Sequence, residues 1–190
     1  VVHHGTRRLE LPEATRENII LCVGAIQRRK NMTRLVEAFE AVDPGWSLIL
    51  AGSDGYGADE VRARIAASRA RARIEAPGYV SPQELAGWYA RARVFAFPSL
   101  DEGFGMPLLE AFSAGLPVLT SNRSALPEVA GDAALLVDPL DTDSIAEGLR
   151  RITRDADLRA ELARRGRLRA EGFRWDKAVA ETWNVYASLG

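Results

Sequence analysis

The sequence has one cysteine, two histidines and no surplus of either charge: 25 lysines and arginines stand against 26 aspartates and glutamates, a formal net charge of -1. A single thiol excludes an internal disulfide, and Cys22 lies in the apolar run Ile19–Val23, where a buried, inert thiol in a reducing compartment is expected. Near-neutral charge leaves no overall footprint for nucleic acid or an anionic membrane, so any anion binding must come from local clusters. No apolar stretch approaches the roughly 20 residues that span a bilayer, and no charged region followed by an apolar core opens the chain, so a soluble cytosolic protein is expected. Neither G-x-G-x-x-G nor G-x-x-x-x-G-K-[ST] follows the first apolar run, which removes motif support for dinucleotide and P-loop readings.

What is present is an alternation. From Asn18 onward, apolar runs of strand length (residues 19–23, 47–51, 73–76, 94–98, 117–120 and 134–137) alternate with amphipathic segments near 33–42, 58–69, 82–91 and 107–114 and a short turn at 126–130. This pattern predicts a doubly wound α/β fold: a six-stranded parallel, Rossmann-like sheet with helices on both faces. After Asp138 the pattern is wholly helical, near 143–154, 156–171 and 176–188. Residues 1–17 read as an inter-domain linker and lead-in, 18–174 as the sheet domain, and 175–190 as a C-terminal helix. The start, without methionine and with His3-His4 unable to complete a metal site by themselves, reads as a linker turn in a piece of a longer chain. The arginines and alanines of residues 62–73 read as a solvated helix face.

In the common strand order for such folds the first and fourth strands are neighbours at a topological switch point, where ligands bind. The loop after the fourth run ends Asp101-Glu102-Gly103-Phe104-Gly105-Met106-Pro107 and enters a helix, with Pro107 expected as its first residue. Free N–H groups at a helix start, with glycines permitting close approach, attract phosphate. Glu110, one turn into the helix, and Glu102, at the mouth, would repel phosphate but accept hydrogen bonds from hydroxyls, so a sugar nucleotide is implied. The plain alternative makes Glu102 a loop charge and Glu110 a helix-dipole residue. Opposite, Gly24 to Asn31 carries Arg28, Arg29 and Lys30 in succession, suited to phosphate if not simply a solvated basic turn; Lys30 is the strongest candidate. Gly52 opens Gly-Ser-Asp-Gly-Tyr-Gly, which reads equally as a phosphate cradle or as a flexible loop over the ligand.

These segments, V-G-x-I-x-x-R-K-N, then A-G, G-Y-V-S and P-S-x-x-E-G-F-G-M-P-x-x-E-A, occur in the order seen in family 4 glycosyltransferases. The chain resembles their C-terminal, donor-binding domain from about Val2 to Tyr186, including Phe173-Arg174-Trp175 before the last helix. The resemblance implies one half of a two-domain GT-B enzyme that moves a hexose with retention of configuration and no metal or other cofactor. It implies that Glu102 holds donor-sugar hydroxyls, Glu110 the ribose, and Lys30 the diphosphate, with Glu102 and Lys30 as the catalytic pair. Gly103, Phe104 and Gly105 match the loop whose amides approach sugar and phosphate, and Tyr79 and Val80 the segment beside the base. Many relatives carry arginine where this chain has Ala25, so Arg28 or Arg29 is expected to substitute. The partners implied are a nucleotide sugar, GDP-mannose first and a UDP-sugar second, and a missing N-terminal acceptor domain for a saccharide or lipid-linked acceptor. Any peripheral contact with the inner face of the plasma membrane would run through that half. A sugar-nucleotide epimerase and a non-catalytic sugar-nucleotide-binding module are the competing readings. Two D-x-D sequences, at 141–143 and 155–157, are read as helix starts rather than metal ligands.

Overall fold

Ile19–Val23 forms β1, buried along its whole length, as a strand covered on both faces must be. In the computed structural model, which describes residues 2–6 and 9–189, it lies centrally in a six-stranded sheet. Val1, Arg7 and Arg8 of the lead-in segment, and Gly190, lie outside the described residues. β2 (Ser47–Ala51), β3 (Ile74–Gly78), β4 (Val94–Phe97), β5 (Val118–Ser121) and β6 (Ala134–Val137) join it in the order β3-β2-β1-β4-β5-β6. Every pairing is parallel, and Leu21 of β1 aligns with Ile49 of β2 and Phe95 of β4. The doubly wound expectation holds, and the switch point falls between β1 and β4.

The helices are α1 (Met32–Phe39), α2 (Ala58–Ala67), α3 (Pro82–Arg91), α4 (Met106–Ser113), α5 (Leu126–Ala130), α6 (Thr142–Arg154), α7 (Ala156–Ala170) and α8 (Trp175–Ala187). They cover both faces of the sheet, α1 packing on α2 and α6, and α4 on α7. Local chemistry sets their ends. Ser81 and Glu84 form a reciprocal capping box at α3, followed by Pro82. Asp141 Oδ1 accepts from Asp143 N–H at 2.9 Å and Asp155 Oδ1 from Leu158 N–H at 2.8 Å, so both D-x-D sequences are helix starts. Several boundaries differ from expectation, by one to three residues. Ser68 turns extended and ends α2 early, and a 3-10 turn at Arg71–Arg73 delays β3 by one residue. α1 gives way after Phe39 to i−3 bonded turns through Val42. Among the described residues no helix is long and apolar enough to cross a membrane.

At the carboxyl edge of the sheet the loops after β1 and β2 are tied together. Gly24 N–H donates to Ala51 O, Ile26 N–H to Ser53 O, Gly55 N–H to Ile26 O and Arg28 N–H to Tyr56 O, all within 3.1 Å. Residues 52–57 therefore buttress the basic loop. A Cβ at Gly52 would lie 2.1 Å from Gly24 O, so only glycine permits the approach. Gly52→Ala is expected to destabilise the fold by about 1–3 kcal/mol, the range for forcing a methyl group into filled space. Gly45→Ala should change it by no more than about 0.5 kcal/mol, since no described atom lies near the added carbon. Scanning calorimetry of the two variants checks this, and equal melting temperatures would remove the buttress argument.

Candidate functional site

β1 delivers its chain to the switch point through Gly24, at φ 134°. A 3-10 turn, Arg28–Lys30, follows, and Asn31 closes it in the left-handed region at φ 59°, a conformation asparagine tolerates. Asn31 is 3% exposed, and its Nδ2 donates to Pro98 O (3.0 Å) and Pro139 O (2.7 Å). One side chain thus joins the loops that follow β1, β4 and β6.

The turn sends its three cations to different places. Lys30, 6% exposed, puts Nζ 2.7 Å from Glu102 Oε1 and 4.5 Å from the centre of the Phe97 ring. Its stem crosses Gly24, where a Cβ would meet Lys30 Cε at 3.1 Å. Arg29, half-exposed, donates from Nη1 to Glu102 Oε2 at 2.9 Å and to Asp101 O at 3.2 Å. Arg28 turns away, pairs with Glu60 of α2 and covers the Tyr56 ring. Glu102 itself is 7% exposed, and a carboxylate so buried requires paired, hydrogen-bonded partners; here each oxygen has one. Beneath them, burial pushes the Cys22 thiol up to about 12, as expected for an inert sulfur, with Lys30 acting to lower it and Glu102 to raise it.

The facing loop is held by Ser124, itself left-handed at φ 58°. Ser124 Oγ accepts from Glu102 N–H at 3.2 Å and lies 2.7 Å from both Asp101 Oδ1 and Glu102 O. Gly105, at φ 103°, precedes α4, and a Cβ there would meet Leu126 Cδ2 at 2.8 Å. Met106, not Pro107, is the first residue of α4, because Gly105 already occupies the N-cap position; Pro107 follows within the first turn. No described side chain caps this helix. Gly103 is open to solvent, while the Phe104 ring packs against His3, His4 and Phe173. Glu110, half-buried one turn into α4, has Oε2 2.9 Å from the Tyr89 hydroxyl. Burial and the Glu110 charge hold the Tyr89 phenol well above its ordinary pKa. Tyr79 and Val80 follow Gly78 on the same sheet edge, two strands from β1, Tyr79 exposed and Val80 partly packed on the core.

The crevice therefore brings together Gly24, Arg29, Lys30 and Glu102, with Gly52 packed on Gly24, the Gly103–Met106 loop and Glu110 following Glu102 into α4, Tyr79 and Val80 two strands along the same sheet edge, and Arg28 directed elsewhere. Asn31, Tyr89 and Ser124 were given no role from the sequence; only Asn31, a polar residue just before an amphipathic segment, carried a local signal. His3, read as linker, lies with Nε2 2.8 Å from Glu128 Oε1. No group of three or more potential metal ligands occurs among the described residues. Cations and glycine amides can hold an anion here, and the two carboxylates can accept from hydroxyls.

In class, this is a Rossmann-like α/β domain with a polar crevice at its switch point. The chain belongs to the group 1 glycosyl transferases, whose family profile matches residues 6–169. It is 36% identical over 173 residues to an O-antigen chain mannosyltransferase B of Escherichia coli, covering 89% of this chain and 45% of that protein. An MMP alpha-(1->4)-mannosyltransferase of Mycolicibacterium hassiacum is 40% identical over 111 residues, 56% of this chain and 27% of that one. Among solved structures, a sucrose-phosphate synthase of Thermosynechococcus elongatus superposes with a TM-score of 0.82 at 30% identity, over 91% of this chain and 45% of the other. The chain thus has the fold of one GT-B half and spans half or less of the length of these relatives.

The buried pair has a measurable consequence. Lys30→Met leaves Glu102 with Arg29 alone and is expected to cost about 3 kcal/mol, the low end for stranding one member of a buried pair. Replacing both, Lys30→Met with Glu102→Leu, should recover most of that, because well-packed apolar substitutes for a buried pair are near neutral. Urea unfolding of the three chains decides; an unaffected single variant would mean that the pair is not buried in solution.

Proposed function

We propose that this chain is the donor-binding half of a metal-independent retaining hexosyltransferase that takes its sugar from a nucleoside diphosphate, mannose from GDP-mannose in the first instance. The observation that supports this reading best is the buried pairing of Lys30 with Glu102 across the switch point where β1 meets β4, with Glu110 one turn into the helix that follows the same loop. Lys30 and Arg29 stabilise the charge that develops on the departing diphosphate, and the amides of residues 103–105 approach it from the α4 side. Arg29, the arginine that reaches Glu102, takes the part left open by Ala25, since Arg28 is engaged with Glu60. Glu102 accepts from donor-sugar hydroxyls and Glu110 from the ribose. Asp141 is occupied as the cap of α6, in keeping with cationic side chains rather than a metal facing the phosphates. The mannose assignment draws on the two mannosyltransferase relatives.

The acceptor belongs to a further half of the enzyme, for which α8 offers a surface. Trp175, Val179, Trp183 and Tyr186 are 54–71% exposed and line, with Val2, His3 and His4, a groove of about 470 Å³. A contiguous apolar patch of this kind marks an interaction face. The whole enzyme is placed in the cytoplasm, with any membrane contact made by the other half.

Calorimetry with GDP, UDP and their sugar conjugates tests the site. Glu110→Ala should weaken binding of the preferred nucleotide by about 1.5–3 kcal/mol, the worth of hydrogen bonds to a charged group. Glu102→Gln should lower affinity for the sugar nucleotide without weakening that for the plain diphosphate; equal losses for both would mean that Glu102 does not read the sugar.

The reaction has its own test. Chelation with EDTA should leave binding intact, and this chain by itself should release almost no nucleoside diphosphate. Holding donor and acceptor together is worth about 7–11 kcal/mol at best, and that contribution requires the acceptor half. Loss of binding with EDTA and its rescue by manganese would overturn the metal-free reading. Turnover of GDP-mannose by this chain alone, without acceptor, would replace the transferase with an enzyme acting on the donor only.

A further inference from the structure

We infer that Tyr89 is a positioning residue for nucleotide recognition: its buried phenol holds the Glu110 carboxylate in the orientation that reads a ribose diol. The inference rests on the ribose assignment of Glu110 made above. Tyr89 is 0% exposed, yet carries a hydroxyl, and burying a hydroxyl is unfavourable unless it finds a partner. The partner is Glu110, at 2.9 Å, while Pro107 O lies at 3.5 Å, the limit of a hydrogen bond. An ionised carboxylate only accepts, so the phenol donates, and its raised pKa keeps the proton in place across the physiological range. A carboxylate has about four lone-pair sites, so the bond from Tyr89 orients the group at the use of only one of them.

Packing alone does not call for the hydroxyl. The Tyr89 ring stacks on Phe95 at 5.9 Å and Phe95 on Phe97 at 5.8 Å, an aromatic ladder in which phenylalanine serves at the other two positions. Phe95 and Phe97 share one face of β4, as alternate residues of a strand do. The far end of the ladder carries Lys30 over Phe97, and through it Glu102. The two carboxylates are thus attached at the two ends of one aromatic stack, Glu110 by a hydrogen bond from Tyr89 and Glu102 through Lys30. A side chain that hops freely would read a diol poorly; one held by a buried donor is preorganised, the condition for discrimination between ligands that differ by one hydroxyl.

The test is the ratio of affinities for a nucleoside diphosphate and its 2′-deoxy counterpart, measured by calorimetry with the GDP and UDP pairs on this chain, with melting temperatures recorded alongside. Glu110→Ala should abolish the preference for the ribonucleotide. Tyr89→Phe should reduce it by about fivefold or more, in line with loss of a hydrogen bond to a charged group, while deoxynucleotide affinity stays within about twofold of the parent. Phe95→Leu, which loosens the ladder but keeps the hydroxyl, should lower the melting temperature and preserve the ratio. It reports on packing independently of whether Tyr89→Phe folds. An unchanged ratio in Tyr89→Phe alongside a collapsed one in Glu110→Ala would overturn the positioning role and leave the ribose assignment standing. An unchanged ratio in Glu110→Ala would overturn both. A ratio lost equally in Phe95→Leu would make Tyr89 a packing residue only.

Discussion

The constraint on which the crevice depends is the burial of Glu102. A carboxylate at 7% exposure has to be matched, and the cations that match it come from the opposite side of the switch point, 72 and 73 residues earlier in the chain. The pairing therefore does more than neutralise charge. It locks the loop after β1 against the loop after β4, and neighbouring features serve the same closure: Gly24 leaves room for the lysine stem, Asn31 bonds carbonyls beyond β4 and β6, and Leu100 N–H donates to Arg29 O at 2.8 Å. Remove the carboxylate and two adjacent cations lose the partner they share; remove the lysine and the carboxylate is left with one half-exposed partner.

The sheet was legible because its signal is a sum over many residues. Fully buried runs such as 19–23 and 94–97 have to be apolar throughout, and their alternation with amphipathic segments admits few topologies. The glutamates and Lys30 could be singled out for a different reason: carboxylates beside a glycine-rich helix start need a chemical explanation, and the ordered motifs offered one. Direction was what could not be read. Three successive cations look equivalent in a sequence, but a 3-10 turn has three residues per revolution, so Arg28, Arg29 and Lys30 leave the backbone about 120° apart. One goes to Glu60, one to the crevice mouth and one into the core. Tyr89 was hidden more deeply, since its partner Glu110 lies 21 residues away on another helix and no periodicity links them.

The two surfaces of functional interest differ in how the protein treats them. The crevice is compensated at its charged centre: Glu102 is paired, Gly24, Gly52 and Gly105 are tightly placed, and Ser124 is bonded, while the buried Ser99 hydroxyl after β4 has no partner among the described residues. The face of α8 is left uncompensated, with two tryptophans, a valine and a tyrosine more than half exposed along the helix. Groups that receive a small polar ligand can be satisfied internally until it arrives, by side chains that change partners. Apolar rings have no such substitute and are covered only by another apolar surface, so a face like that of α8 is consistent with a neighbour that stays in place rather than one that exchanges.

Self-compensation also bears on how the proposed donor would enter. Lys30, Arg29 and Glu102 together carry one net positive charge in the free domain, and a diphosphate brings more negative charge than that. Phosphate oxygens and Glu102 then compete for the same two cations, and if the cations turn to phosphate, Glu102 loses partners that a buried carboxylate cannot do without. A plain nucleoside diphosphate offers nothing in exchange at that position. A sugar nucleotide does, because its hydroxyls donate to the carboxylate at the moment its phosphates take the cations. If Lys30 binds phosphate as proposed, its pairing with an acid would couple recognition of the sugar to recognition of the diphosphate, so that the complete donor would be favoured over its product by more than the sugar contacts alone would supply.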